Sequence, residues 1–139
     1  MKAWHFTNGR LGYGDGRKVK TGRTYKVVFP RTRNGIIYHK PALCRMGLHA
    51  SKEVCDAYIF KPHAKYITRV DLSGNLKHEY DKSVGTTRKV LAMANARQIM
   101  REFRKWYRKE GLFFTTGDDC NRKLMQLIRK HKPHLLAKG

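Results

Sequence analysis

Arg97, Arg101, Arg104 and Arg108 stand four, three and four residues apart. On an α-helix that spacing draws one continuous stripe. Lys105 and Lys109 widen it, and only Glu102 and Glu110 dilute it. Guanidinium forks match phosphate oxygens, and releasing the counterions of a polyanion gives affinity without reading sequence. Trp106 lies beside the run; it is read first as core or edge packing, with stacking on an unpaired base as the alternative. The stripe therefore reads as a nucleic-acid-binding face. A second basic pair, Arg17 and Lys18, closes the glycine-rich stretch Gly12-Tyr13-Gly14-Asp15-Gly16. Its G-x-G-x-G spacing leads towards a strand and lacks the ending of a P-loop, so it is read as a tight turn whose basic end touches phosphate. Cys44, His49, Cys55 and His63 have the chemistry of zinc ligands without the close pairs of common zinc sites. No metal is assigned to them, and Cys55 is expected as a small buried apolar residue. Asp71, Glu79 and Asp81 are the nearest approach to a carboxylate cluster for a metal-dependent nuclease, whereas Asp118-Asp119 reads more simply as a helix start.

The stripe belongs to a strongly basic chain. Its 139 residues carry 31 Lys+Arg against 10 Asp+Glu, a net charge of +21. Residues 1–82 hold 17 basic and 6 acidic residues, and residues 83–139 hold 14 and 4, so the excess is not a tail. With 40% hydrophobic and 11% aromatic residues the chain is too apolar for a disordered basic tail, and it has the length to bury a core. No apolar run is long enough to span a membrane, and the start has no signal-like core. Three cysteines, an odd count, give the expectation of reduced thiols in a cytosolic protein. A polyanion is the expected partner: DNA or RNA, or a nucleoprotein complex. An anionic membrane or an acidic protein could also receive a basic amphipathic helix. No known base-reading signature is present, so sequence-specific recognition is not expected.

The elements that must position these residues read as one α+β domain over residues 1–139. A small antiparallel sheet region (1–82) precedes a helical basic part (83–139), with a long basic amphipathic helix and a shorter C-terminal helix. Strands are expected at 3–7, 24–29, 36–39 and 65–72, with turns at Asn8-Gly9 and Asn34-Gly35. Ser51 is placed as the cap of a short helix at 52–59. From Ser83 to Lys109, Val90, Met93, Ala96, Met100, Phe103 and Tyr107 recur at steps of three and four, which predicts one helix capped by Ser83. Residues 112–116 form a short apolar segment. A helix from Asp118 or Asp119 then buries Leu124, Leu127 and Ile128 until Pro133 ends it.

Several strings together resemble a family of small uncharacterised bacteriophage and prophage domains. They are Trp4-His5-Phe6, Gly12-Tyr13-Gly14-Asp15-Gly16-Arg17, Leu43-Cys44, Gly47-Leu48-His49-Ala50-Ser51, Leu72-Ser73-Gly74 and Asp81-Lys82-Ser83-Val84. The resemblance covers about residues 1–95 and implies a phage origin, the host cytosol and no assigned chemistry. The first part also resembles, distantly, the ADP-ribosyltransferase fold. That likeness implies His5, Ser51 and Tyr58 at NAD-binding positions and Glu79 as the acid that stabilises a ribosyl cation. Binding is preferred to both enzyme readings, transferase with NAD or nuclease. Under it no catalytic residue and no cofactor is assigned, and a counter-defence or host-takeover role is the biological setting.

Overall fold

The computed structural model describes residues 1–12, 15–111 and 117–137. The strands are β1 (Lys2–Thr7), β2 (Thr24–Lys26), β3 (Arg31–Arg33), β4 (Ile36–Tyr38), β5 (Leu48–Ala50), β6 (Tyr66–Ser73), β7 (Lys77–His78), β8 (Ser83–Gly85) and β9 (Thr87–Asn95). The helices are α1 (Val54–Phe60), α2 (Arg97–Trp106), continued by a π-turn at Tyr107–Gly111, and α3 (Gly117–His131), followed by a 3-10 turn at Pro133–Leu136. The architecture is α+β with antiparallel pairing, as expected. A four-stranded sheet runs β1-β6-β9-β2, flanked by a β3-β4 hairpin and a β5-β8-β7 sheet.

The central sheet is buried on both faces, and strand alternation decides which side chain enters which core. Trp4 and Phe6 of β1, Ile67 of β6 and Ala94 of β9 pack with α1, α2 and α3. Ala3, Val70, Leu72 and Val90 point the other way, to Leu11, Val19, Tyr25, Val27, Leu48 and Ala50. A bulge makes this possible on β9. Arg69 of β6 lies opposite Ala92 while Val70 lies opposite Val90, so Leu91 is the extra residue. One inserted residue reverses the alternation. Arg88 and Val90 consequently face the second core, and Ala92 and Ala94 face the helices.

Most strand expectations hold within two or three residues. The Asn34-Gly35 turn takes positive φ at both residues, 51° and 75°, the form that suits a two-residue hairpin. The 24–29 strand is shorter, ending at Lys26. Ser51 does not cap α1. Its N–H and C=O pair with Trp4 of β1 at 2.9 and 2.7 Å, and α1 begins after Glu53. The helix expected over 83–109 is the main correction. Residues 83–95 are β8 and β9, and the helix proper is the ten-residue α2, shorter than the fifteen-residue α3. The bulge explains the difference: an alternation that reverses at Leu91 spaces Val90, Met93 and Ala96 by three, mimicking a helical face. The apolar segment at 112–116 lies outside the described residues, as do Tyr13 and Gly14.

The second correction concerns cysteine. Cys55 of α1 is disulfide-bonded to Cys120 of α3, and Cys44 is the free, exposed thiol. The backbone N–H of Cys55 also donates to Asn121 Oδ1 at 2.8 Å, so α1 and α3 are held at one point by a covalent and a polar link. The 65-residue separation hides this pair from spacing arguments. Closing a loop of that size restricts the unfolded chain by roughly 4 kcal/mol in the entropic picture. Replacing Cys55 and Cys120 together by Ala is expected to lower the unfolding free energy by roughly 2–4 kcal/mol, read from urea midpoints. Thiol titration of the chain unfolded without reductant should give one reactive group, Cys44; three would contradict the bond.

Candidate functional site

Two places gather chemistry, on different parts of the fold. The first is the surface of α2. Met100 and Phe103 bury in the helix-side core, which turns the arginines outward. Asn95 Oδ1 accepts from the Arg97 N–H at 2.8 Å and fixes the helix start. Arg97, Arg101 and Lys105 are exposed along α2, and Arg108 and Lys109 continue in the π-turn. Arg104 is half-buried, its guanidinium 3.5 Å from the Pro62 carbonyl. Two shallow depressions flank the helix start. Lys65, Tyr66, His63, Arg97 and Arg104 line one, and Arg97, Arg101, Gln98 and Lys132 line the other. No carboxylate lines either. Glu102, which the stripe contains, is held by His131 of α3. No described carboxylate pairs with Arg97, Arg101, Arg104, Lys105, Arg108 or Lys109.

Sequence spacing therefore located the stripe but missed Lys65, Tyr66 and Lys132, which join it only through the fold. Trp106 is half-buried against the helix-side core, its ring centroid 5.6 Å from that of Phe103. Arg17 and Lys18 lie elsewhere, beside β2. Arg17 forks onto Asp15 with both distances at 2.8 Å and donates to the Lys26 carbonyl. That ion pair holds the Asp15 carboxyl below its ordinary range, chiefly through the Arg17 hydrogen bond.

The second place is a pocket at the free edge of β1. The Trp4–Ser51 backbone bridge brings the end of β5 against that edge, so His5, His49 and Ser51 line one cavity of about 180 Å³. Trp4, Phe6, Ala57 and Phe60 supply apolar wall, and Cys44 and Lys82 complete the lining. Gly47 is needed to set β5: its φ is +117°, and a Cβ there would lie 2.6 Å from Val84 Cγ2. The Cys44 N–H donates to His49 Nε2 at 2.8 Å, which places the imidazole proton on Nδ1. Burial, then the neighbouring cations Arg88 and Lys82, push His49 down to about 4 against a Gly47 backbone hydrogen bond. His5 is lowered well below its ordinary value by burial, then by Arg88, His49 and Lys61. Both imidazoles are neutral at pH 7.

The residues implied by the transferase likeness are partly assembled. His5 and Ser51 share the pocket. Tyr58 instead lines a different hollow with Ile59, Phe103 and Tyr107, packed edge-on against Phe103. Glu79 is half-exposed and 3.5 Å from Lys82 Nζ. Of the nuclease carboxylates, Asp71 holds the N-terminal ammonium at 2.9 Å. Of the zinc-type residues, Cys55 is in the disulfide and His63 lies by α2, so the four do not converge. Among the described residues no group of three metal-ligating side chains occurs. No helix among them is long and apolar enough to cross a membrane.

The fold and these two places define a small α+β protein with an unneutralised cationic helix and a separate histidine-lined pocket. No family model, no curated protein and no solved structure matches the chain.

The buried histidines have a consequence for pH. The unfolded chain takes up a proton at His49 near the ordinary value of 6.5, whereas the folded chain does so only near 4. Protons therefore favour the unfolded state over that window, and stability falls as pH drops from 6.5 towards 4. His49 alone accounts for up to about 3 kcal/mol of this loss. Urea midpoints measured across the window should decline in the native chain and decline less in His49→Gln; equal slopes would contradict the assignment.

Proposed function

We propose that the protein binds nucleic acid, free or within a nucleoprotein complex, through phosphate contacts made by the outer face of α2. What carries this reading is one observation: Arg97, Arg101 and Arg104 converge with Lys65 and Lys132 on depressions that no carboxylate lines. A cationic patch of this kind in an ordinary surface is interspersed with acids, and here Glu102, held by His131, is the one acid between Arg97 and Lys109. Tyr66, within the same surface, offers a ring on which an unpaired base can stack. The contacts are of the backbone-positioning kind, so affinity depends on salt rather than on base sequence. As the biological setting we propose a phage-type role in host takeover or counter-defence. The resemblance of the first 95 residues and the excess of cationic groups support that setting.

Changing Arg97, Arg101, Arg104 and Arg108 to Gln should leave the fold intact, because the apolar face of α2 is untouched. Binding to a labelled mixed-sequence duplex and to a single strand is then measured across salt concentrations. The slope of log affinity against log salt is expected to fall by about 3–4 for four lost phosphate contacts. A slope identical to that of the native chain would refute the α2 face as the binding surface.

A further inference from the structure

Residues 16–52 contain ten Lys and Arg and no Asp or Glu. The β3–β4 hairpin stands in the middle of that stretch. Among the described residues its two strands pair only with each other, apart from both larger sheets. Arg33 Nη1 ties it to the following loop, donating to the Arg45 carbonyl at 2.8 Å. A lone two-stranded hairpin is marginal in water. This one leaves Ile36 50% and Ile37 61% exposed, with Val28 77% exposed at its base. Successive strand residues face opposite sides. Ile36, paired with Arg33, shares a face with Arg31 and Tyr38, and Ile37, paired with Thr32, lies on the other face. Each face of the ribbon therefore presents an exposed isoleucine.

At the base of the hairpin Arg17, Lys26, Val28 and Arg31 line a depression with one acid, Asp15. Arg17 forks onto that acid, and Arg31 also acts on it. Lys26, Lys40 and Arg45 are exposed, and no described carboxylate pairs with them. The ribbon thus has apolar flanks, a cationic base and a narrow polar apex at Asn34-Gly35. Entering hydrocarbon apex first would bury the polar groups of that turn. A polar groove with anionic rims suits it instead. The major groove of B-form DNA admits a two-stranded ribbon between its phosphates and offers thymine methyls to apolar side chains. The deep, narrow major groove of duplex RNA does not admit side chains.

We propose that the β3–β4 hairpin enters the major groove of duplex DNA, as a contact surface separate from α2. Ile36 and Ile37 lie against apolar base edges within the groove, and Lys26, Arg31 and Lys40 meet the phosphates of its rims. Insertion accounts for apolar exposure on both faces, because a groove encloses a ribbon whereas a flat partner covers one face. None of these residues lines the depressions beside α2. The hairpin site therefore stands whether or not α2 binds.

The test compares the full native chain with the double variant Ile36→Thr, Ile37→Thr. Binding is measured across salt concentrations to a labelled mixed-sequence DNA duplex, its single strand and the RNA duplex of the same sequence. Threonine keeps the strand propensity, and thermal unfolding verifies the fold. Affinity for duplex DNA is expected to fall about tenfold, the effect of leaving two half-exposed isoleucines unburied. Its salt slope should stay unchanged, because no phosphate contact is lost. Affinity for the single strand and for the RNA duplex should not move. Changing Lys26 and Arg31 to Gln should instead lower the slope on duplex DNA by about 2. Unchanged affinity for duplex DNA in the folded isoleucine variant would overturn the proposal. So would a loss of equal size on the single strand or the RNA duplex. Weakened binding to phosphatidylserine vesicles with DNA binding intact would overturn it in favour of a membrane. Absence of duplex binding by the native chain at about 100 µM and low salt would also overturn it. Single-strand binding that depends on the α2 arginines would then leave the α2 reading standing, so the two fail separately.

Discussion

The register between β6 and β9 is the constraint on which the other parts depend. β9 is the inner strand that joins β6 to β2 and leads directly into α2. A regular β9 would send Arg88, Val90, Ala92 and Ala94 all to one face. The extra residue Leu91 divides them, so one strand fills two cores and leaves Arg88 on the face that carries His5. The same strand ends at Asn95, whose side chain accepts from Arg97 and starts the cationic helix. Both candidate sites are thus aimed by one strand: its first half sets the charge behind the pocket, and its last residue sets the helix.

Electrostatics in this chain is governed by the scarcity of acid. With 10 carboxylates for 31 cationic side chains, where each acid goes decides which cations stay free. Asp71 holds the N-terminal ammonium where β1 pairs with β6, Asp15 holds Arg17 beside β2, and Glu102 holds His131 between α2 and α3. Asp119 and Glu79 pair locally, with Arg122 and Lys82. These acids hold the framework together, and the one that belongs to α2, Glu102, is taken up by His131 rather than by an arginine. Surface ion pairs of this kind are worth little each. Their importance here is positional: they leave the arginines of one helix without a paired carboxylate among the described residues.

What the sequence made legible follows the range of the interactions. Turn chemistry is local, and Asn34-Gly35 announced its hairpin. The arginine stripe is also local, because residues three and four apart share a helix face whatever surrounds them. Ser51 was misassigned because a serine before a helix satisfies a cap rule, whereas its backbone was taken by Trp4, 47 positions earlier. β9 was read as helix because a single bulge converts a period of two into an apparent period of three and four. Lys65 and Lys132 joined the basic face, and Cys55 found Cys120, through contacts that no window of sequence contains.

The pocket shows why a buried cation can be more informative than an exposed one. An exposed arginine is solvated at little cost, and its presence on α2 argues only through number and the absence of acids. Arg88 has no such solvation. Its single described hydrogen bond, to the His49 carbonyl, leaves Nε unpaired, and a hydrophobic side chain at this position would remove the penalty. The two histidines beside it stay neutral, so they add no further repulsion at pH 7. Tyr25 and Asp15 act on Arg88 in the direction opposite to burial and partly offset that penalty. Helix and buried guanidinium are then two ways of carrying one excess of charge: α2 exposes it to solvent, and the sheet holds it against a backbone carbonyl.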